Sequence, residues 1–131
     1  MKRLLLTSLT LCVLFVSAHA VPAGLSATVS VDPVTITLGQ SVHIVGTVTN
    51  DGNRDLVLYH TQLYTYRNVA GCTPFYLLQN DVPIAAGQTI TVAVDYTPDC
   101  VGVWEAAMAV QPKKLVSGQQ YITAEIEFTV Q

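Results

Sequence analysis

The sequence predicts an all-β protein: an immunoglobulin-like antiparallel β-sandwich of about seven or eight strands. From residue 26 to residue 130, apolar residues alternate with Thr, Ser, Glu and Asp, as they do in strands that bury one face. Turn-forming Gly, Pro, Asn and Asp residues separate these alternating segments. No segment has the periodicity of an amphipathic helix. An up-and-down barrel is the structural alternative.

In the first half of the chain, turn signals divide four strands. Pro33 cannot donate to a sheet ladder and is expected at an edge or crossing point. Gly39-Gln40 and Asn50-Asp51-Gly52-Asn53 form the next turns, because Gly, Asn and Asp tolerate a positive φ. The predicted strands cover residues 25–31, 34–38, 41–50 and 56–66.

In the second half, a short edge strand is expected at 75–79, within an irregular stretch at 68–83. Three regular strands follow, at residues 89–97, 102–111 and 120–130. Trp104 lies on the inward face of its strand, and its size makes it the expected core aromatic.

The first 20 residues have the layout of a signal peptide. Lys2 and Arg3 precede an apolar run at 4–16, and Ala18-His19-Ala20 supplies small residues for cleavage after position 18 or 20. The run is shorter than the roughly 20 residues of a membrane-spanning helix. We therefore expect a single domain at 21–131, secreted or periplasmic, with no membrane insertion after cleavage.

The charge of the expected mature domain excludes a class of partners. Its basic residues are Arg54, Arg67, Lys113 and Lys114, against nine acidic residues. Without a basic stripe to neutralise phosphates, nucleic acid is not an expected partner.

Two cysteines remain in that domain, Cys72 and Cys100, and in an oxidising compartment they are expected to pair. Cys72 follows the third long strand and Cys100 precedes the Trp104 strand. In an immunoglobulin-like sandwich these two connections emerge at the same end, so a disulfide is geometrically reasonable.

Several segments resemble the cell-adhesion-related domain found in bacteria, the CARDB type. They are Asp32-Pro33-Val34-Thr35-Ile36-Thr37-Leu38-Gly39-Gln40-Ser41-Val42, the stretch at 46–52, Ala85 to Val92, and Gly102-Val103-Trp104-Glu105-Ala106. The resemblance implies the fold and says little of function, since one sandwich fold hosts many activities. Such modules often carry an acidic, Asn-containing segment between their last two strands. Residues 112–118 depart from that pattern, which removes the basis for a calcium contact there.

No pattern of catalytic residues is present, so we expect neither enzymatic activity nor a cofactor. The sequence lacks Gly-x-Ser-x-Gly, His-Glu-x-x-His and phosphate-binding glycine loops. Glu125 and Glu127 are expected to be solvated on an exposed strand face. Cleavage after Ala18 would make His19 an N-terminal copper ligand, with His43 or His60 as the second, but no metal site is expected otherwise.

An aromatic concentration is the remaining signal. Tyr64, Tyr66, Phe75 and Tyr76 are the candidate binding residues, because Tyr offers a large rigid surface with a polar tip. The leading hypothesis is a secreted module that binds a protein or a cell-surface polysaccharide. The alternatives are a secreted protease inhibitor that presents the 68–75 loop, and a periplasmic copper-binding sandwich if His19 is the mature N-terminus. The sequence predicts no oligomeric state.

Overall fold

The computed structural model describes residues 24–113 and 122–131, and these ranges contain eight strands and no helix. None of the described residues forms a helix that could span a membrane. The predicted signal peptide lies outside the described residues, as do residues 114–121. The strands are β1 (Leu25–Asp32), β2 (Thr35–Ile36), β3 (Val42–Asn50), β4 (Leu56–Tyr66), β5 (Tyr76–Ile84), β6 (Thr89–Tyr96), β7 (Gly102–Pro112) and β8 (Ile122–Val130).

The strands form two sheets, as the alternating pattern predicts. A three-stranded sheet has the order β1-β3-β6, and a five-stranded sheet has the order β2-β8-β7-β4-β5. The immunoglobulin-like sandwich is thus confirmed, with one correction to its antiparallel character. The short β2 pairs with β8 in parallel, because the chain passes from one sheet to the other after Pro33.

The predicted strand boundaries hold to within about one residue except around β2 and β5, and residues 120 and 121 of the last predicted strand lie outside the described residues. The expected strand at 34–38 is reduced to two residues, and the expected edge strand at 75–79 extends to Ile84. β5 is an edge strand in which Ile84 is the one fully buried residue. An edge strand that buries so little carries weak alternation, so its length escapes a periodicity argument.

The core lies between the sheets and is centred on β7. Trp104, Ala106, Met108 and Val110 all face inward and are buried. The Trp104 ring stacks on Phe128 with centroids 6.3 Å apart, and its Nε1 donates to the Cys100 carbonyl at 2.9 Å. The expectation that Trp104 is the core aromatic is confirmed. The inward-facing Gly46 of β3 allows Met108 and Leu63 of the opposite sheet to approach closely.

Asn50 organises the end of the sandwich where β3 leads into β4. It is fully buried, and its Nδ2 donates to the carbonyls of Arg54 and Ile84 at 2.7 and 3.3 Å. Its Oδ1 accepts from the Gly52 backbone amide at 3.1 Å. One amide side chain therefore satisfies three backbone groups from the turn and from β5.

The opposite end is fastened by the disulfide between Cys72 and Cys100, whose Cα atoms are 5.7 Å apart. Cys72 lies in the β4–β5 loop and Cys100 in the β6–β7 loop, as the sequence predicts. A disulfide is typical of a protein that folds in an oxidising environment.

Candidate binding surface

The candidate tyrosines lie on the outer face of the five-stranded sheet. In the register of the sheet, Tyr64 of β4 is opposite Tyr76 of β5 on one side and Ala107 of β7 on the other. Tyr66 lies two residues further along β4, on the same face. The rings of Tyr64 and Tyr76 are tilted by 41° with centroids 6.3 Å apart. The rings of Tyr64 and Tyr76 are therefore adjacent but not coplanar.

Two of these tyrosines are well exposed, and the third is half-buried at the centre. Tyr66 is 50% exposed and Tyr76 is 57% exposed. Burial is the main cause that raises the pKa of Tyr64, and the charges of Glu125 and Glu105 add to it. Tyr64 is therefore the neutral, half-buried member of the three. The exposed Tyr76 lies beside it on β5, and the exposed Tyr66 lies two residues further along β4.

Three glutamates continue this face across β7 and β8. Tyr66 is opposite Glu105, which is opposite Glu127, and Ala107 is opposite Glu125. The only ion pairs among the described residues are His43–Asp95 and Lys113–Asp81, so no described cation neutralises these glutamates. We call this surface the tyrosine–glutamate face; it comprises Tyr64, Tyr66, Tyr76, Glu105, Glu125 and Glu127.

Glu125 and Glu127 are close enough to perturb Glu105. Partial burial raises the pKa of Glu105, and repulsion from Glu125 and then Glu127 raises it further. Glu125 and Glu127 are exposed, so the expectation of solvated side chains holds for these two. The sequence pattern did not identify Glu105 as their neighbour, because the pairing of β7 with β8 brings it there.

Small residues lie between the tyrosines and the glutamates. Ala107 faces outward but is fully buried, since the larger side chains of Tyr64 and Glu125 flank it in the sheet. Ala109 is next along β7 and is also buried. On this outer face the tyrosines therefore lie on β4 and β5, and the glutamates lie on β7 and β8. The small residues Ala107 and Ala109 of β7 lie between the two groups.

Phe75 does not share this surface. It packs against the hydrophobic core, and its ring centroid is 6.0 Å from that of Tyr96 in the other sheet. It precedes β5 by one residue, so the strand period places it on the face opposite to Tyr76. Four candidate binding residues thus separate into three outward tyrosines and one inward phenylalanine.

The loop that includes residues 68–75 is held firmly at its base. Besides the disulfide, the Thr73 amide donates to the carboxylate of Asp99 at 3.0 Å, and the Tyr96 hydroxyl donates to the Thr73 carbonyl at 2.5 Å. The hydrogen bonds from Thr73 hold the pKa of Asp99 below its usual value. The tip of the loop is exposed, with Val69 at 51%.

The two described histidines lie on opposite faces of the sandwich. His43 is on the three-stranded sheet, where its Nδ1 is 2.7 Å from Oδ1 of Asp95. His60 is on the five-stranded sheet, where its Nδ1 is 2.6 Å from Oδ1 of Asn80. A register shift between Leu58 and His60 breaks the alternation of β4. The histidines cannot act together, and His19 lies outside the described residues.

One group among the described residues has the composition of a metal site: Cys72, Asp99 and Cys100. Both sulfurs are joined in the disulfide. Because the thiolate is the form of cysteine that binds metals, this group is not a metal site in the oxidised protein.

A cleft of about 410 Å³ opens where β4 begins and β7 ends, lined by Asp55, Leu56, Val57, Pro112 and Lys113. Among the described residues, its lining offers one carboxylate, from Asp55, and one ammonium group, from Lys113.

Comparison with solved structures supports the fold. The CARDB domain of a Pyrococcus furiosus protein, solved in solution, matches with a TM-score of 0.61 at 14% identity, covering 82% of this chain and 94% of that one. Its crystal structure, in complex with di-metal ions, matches with a TM-score of 0.59 at 13% identity, covering 82% and 87%. No family model matches the sequence, and no curated protein does either. At these identities the likeness shows the fold alone.

Proposed function

We propose that this domain, whose fold is that of CARDB domains, is a non-catalytic module that binds a basic segment of a partner protein. The binding surface is the tyrosine–glutamate face. The observation that carries the proposal is the register that places Tyr64, Tyr66 and Tyr76 beside Glu105, Glu125 and Glu127 on one outer sheet face.

The chemistry of this face suits Arg and Lys side chains. A guanidinium or ammonium group is attracted to the face of a tyrosine ring, and a carboxylate beside the ring adds a charge-assisted hydrogen bond. Of the two partner classes that the sequence suggests, a protein or a cell-surface polysaccharide, three adjacent carboxylates favour a basic protein segment and disfavour an acidic polymer.

The electrostatics of Glu105 add support. Its pKa is raised because folding brings a partly buried carboxylate next to Glu125 and Glu127. The ionised form of Glu105 therefore opposes folding at neutral pH. Groups held at a cost to stability are common where the arrangement serves binding rather than the fold.

The test uses synthetic peptides with Arg at alternate positions, and otherwise identical peptides with Glu or Ser there. We expect saturable binding of the Arg peptide, measured by calorimetry, that weakens steeply as salt increases. Tyr66→Ala should weaken it by about tenfold or more, as truncating an aromatic residue that anchors an interface does. Tyr59→Ala is the matched control, because Tyr59 is on the same strand and is 45% exposed.

A second pair of variants separates charge from shape. Glu127→Gln should weaken binding, whereas Asp51→Asn, the same charge change in the exposed β3–β4 turn, should not. Equal binding of the Arg and Ser peptides would contradict the proposal. Binding of a neutral oligosaccharide that Tyr66→Ala abolishes and Glu127→Gln leaves intact would instead assign the face to a polysaccharide.

A second candidate function, inhibition of a secreted protease, rests on the β4–β5 loop. The tip of this loop is exposed, and its base is held by the disulfide and by hydrogen bonds of Thr73. A substrate-like inhibitory loop needs both features, because rigidity lowers the entropy cost of binding. Incubation with a panel of serine and cysteine proteases tests this role. Inhibition that Val69→Asp removes would support it, and intact protease activity throughout would exclude it.

The place of action follows from the same chemistry. We propose that residues 1–20 direct export and that the mature domain is secreted or periplasmic, where its disulfide is stable. Mass spectrometry of the native protein tests this, since an N-terminus at His19 or Val21 is expected.

A further inference from the structure

The two long sides of the sandwich are closed to different extents. On one side, β1 packs against β8 and β7, and its inward residues Leu25, Val29 and Val31 are almost fully buried. On the other side, Ile90 and Val92 of β6 face the core but remain half-buried. The apolar face of β6 is therefore incompletely covered by the rest of the described chain.

The opposing sheet extends beyond β6. Leu77 and Gln79 of β5 are in register with the buried Leu63 and Thr61 of β4, which places them on the inner face. Leu77 is nevertheless half-exposed and Gln79 is exposed. Among the described strands, the three-stranded sheet is one strand too short to cover β5, and the uncovered position lies beside β6.

β6 also lacks the features that usually prevent edge strands from pairing. Its eight residues pair with β3 without a register shift and include no Pro, Lys or Arg. Natural edges are commonly blunted by such residues, by bulges or by short length. The edge strand β5 has Pro83 and a positive φ at Asp81, and β2 has two residues. The remaining edge, β1, also has no Pro, Lys or Arg and no register shift, but its side of the sandwich is closed by β8 and β7. The one charged residue of β6, Asp95, points outward and contacts His43. β6 is therefore the edge that is both unblocked and beside incompletely covered apolar residues.

We infer that β6 accepts an extended segment of another protein as a fourth strand of the three-stranded sheet. The segment has apolar residues at alternate positions, which pack on Ile90, Val92 and Val94 and cover Leu77. Backbone hydrogen bonds to β6 supply affinity, and the alternate side chains supply specificity. This surface is separate from the tyrosine–glutamate face, which lies on the outer side of the other sheet.

A single segment fits this position better than a second copy of the domain. If two sandwiches paired through their β6 strands, both protruding β5 strands would lie beneath that pair. Neighbouring strands in a sheet are about 4.8 Å apart. Four strands, two from the larger sheet of each copy, would therefore have to fit into the width that the two β6 strands occupy.

The probe is a synthetic peptide with the sequence of β6, Thr-Ile-Thr-Val-Ala-Val-Asp-Tyr. In an antiparallel pairing, Val92 of the peptide can lie opposite Val92 of the protein. Ile90 of each strand then lies opposite Val94 of the other, so the apolar residues of both strands share the core face. We expect amide hydrogen exchange of β6 to slow when the peptide is added. A scrambled peptide that breaks the alternation should leave the exchange unchanged.

Two further arms test the mode of binding. N-methylation of alternate peptide amides removes the donors of one edge, and we expect one methylated set to abolish binding while the other preserves it. In the protein, Val92→Lys should weaken binding by about tenfold or more, because an inward charge opposes strand addition. Thr91→Lys, on the outward face, should not. If Val92→Lys fails to fold, the methylated peptides test the unaltered protein.

Three outcomes would overturn the inference. Unchanged exchange of β6 at millimolar peptide would remove the acceptor site. Equal effects of both methylated sets would show that backbone pairing is not involved. Sedimentation of the protein alone as a dimer that the β6 peptide dissociates would assign the edge to a second copy of the chain.

Discussion

Gly46 and Met108 face each other across the two sheets, so closely that a Cβ atom on Gly46 would lie 2.7 Å from the Met108 sulfur. The same atom would lie 3.0 Å from Cδ1 of Leu63. The contact joins the middle of β3 to the two central strands of the larger sheet. Glycine at this position sets how near the sheets approach.

We therefore expect Gly46→Ala to destabilise the domain by about 1–3 kcal/mol, as overpacking of a core does. Chemical denaturation measures the change. Met108→Ala should relieve the crowding, so the double variant should be more stable than the sum of the single effects implies. Strict additivity would show that the two residues do not compete for space.

Thr61 and Thr65 are buried on the inner face of β4, yet they differ in hydrogen bonding. The Thr61 hydroxyl has no partner among the described residues, whereas Oγ1 of Thr65 accepts from the Phe75 amide at 2.8 Å. Thr61→Val should stabilise the fold by about 1 kcal/mol, because it removes an unsatisfied polar group without changing shape.

Thr65→Val is the matched control and should destabilise by about 1–3 kcal/mol, since it leaves a backbone amide without its acceptor. Thermal unfolding of the two variants side by side measures the difference. Equal shifts of the same sign would contradict the hydrogen-bond assignment.

Asn50→Ala should destabilise the domain by about 2–3 kcal/mol, because the Gly52 amide and the carbonyls of Arg54 and Ile84 lose their partner. Asn53→Ala, at an exposed position of the same turn, should change stability by less than about 0.5 kcal/mol. Urea unfolding distinguishes them, and a small effect at both positions would contradict the role of Asn50.

Glu105→Gln should raise stability at neutral pH. The pKa of Glu105 is raised above 4.5 by burial and by Glu125 and Glu127, so the folded protein binds this proton more tightly than the unfolded chain. The stability of the unaltered protein therefore falls as the pH rises from about 4.5 through the folded-state pKa. The variant should lack this part of the pH dependence.

Thermal unfolding as a function of pH measures the effect, and NMR titration of the Glu105 side chain checks the pKa directly. The two proteins should converge in stability as the pH falls below about 4, where the carboxyl is protonated in both states. A stability gain of the same size at every pH would show that charge is not its cause.

Removal of the disulfide by the Cys72→Ser/Cys100→Ser double variant should cost about 3–4 kcal/mol on the chain-entropy model, since the bond closes a loop with a sequence separation of 28. Denaturation of the variant beside the oxidised and reduced protein measures this. Oxidised and reduced forms of equal stability would contradict the prediction.

The sequence predicts most of the fold because burial imposes an alternating pattern on the long strands other than the edge strand β5. β8 shows this directly: Ile122, Ala124, Phe128 and Val130 are buried, and Glu125 and Glu127 point outward. The disulfide was also predictable, because two cysteines fell in loops at the same end. β2 and the far half of β5 escaped prediction, since two residues define no period and an exposed edge buries few apolar side chains.

The candidate site was only partly predictable. Alternation along β4 correctly groups Tyr64 with Tyr66, but it says nothing of the strand beside them. Glu105 joins the surface through the pairing of β7 with β4 and β8, which is a relation between distant parts of the chain. Proximity in sequence groups Phe75 with Tyr76, but the two-residue period of the strand places their side chains on opposite faces.

β4 is an interior strand, hydrogen-bonded to β5 on one side and to β7 on the other. The backbone that carries Tyr64 and Tyr66 is thus preorganised, and tyrosine has few rotatable bonds left to restrict. A partner that docks on these rings pays little conformational entropy on this side of the complex. The ordering cost of the interaction then falls mainly on the partner.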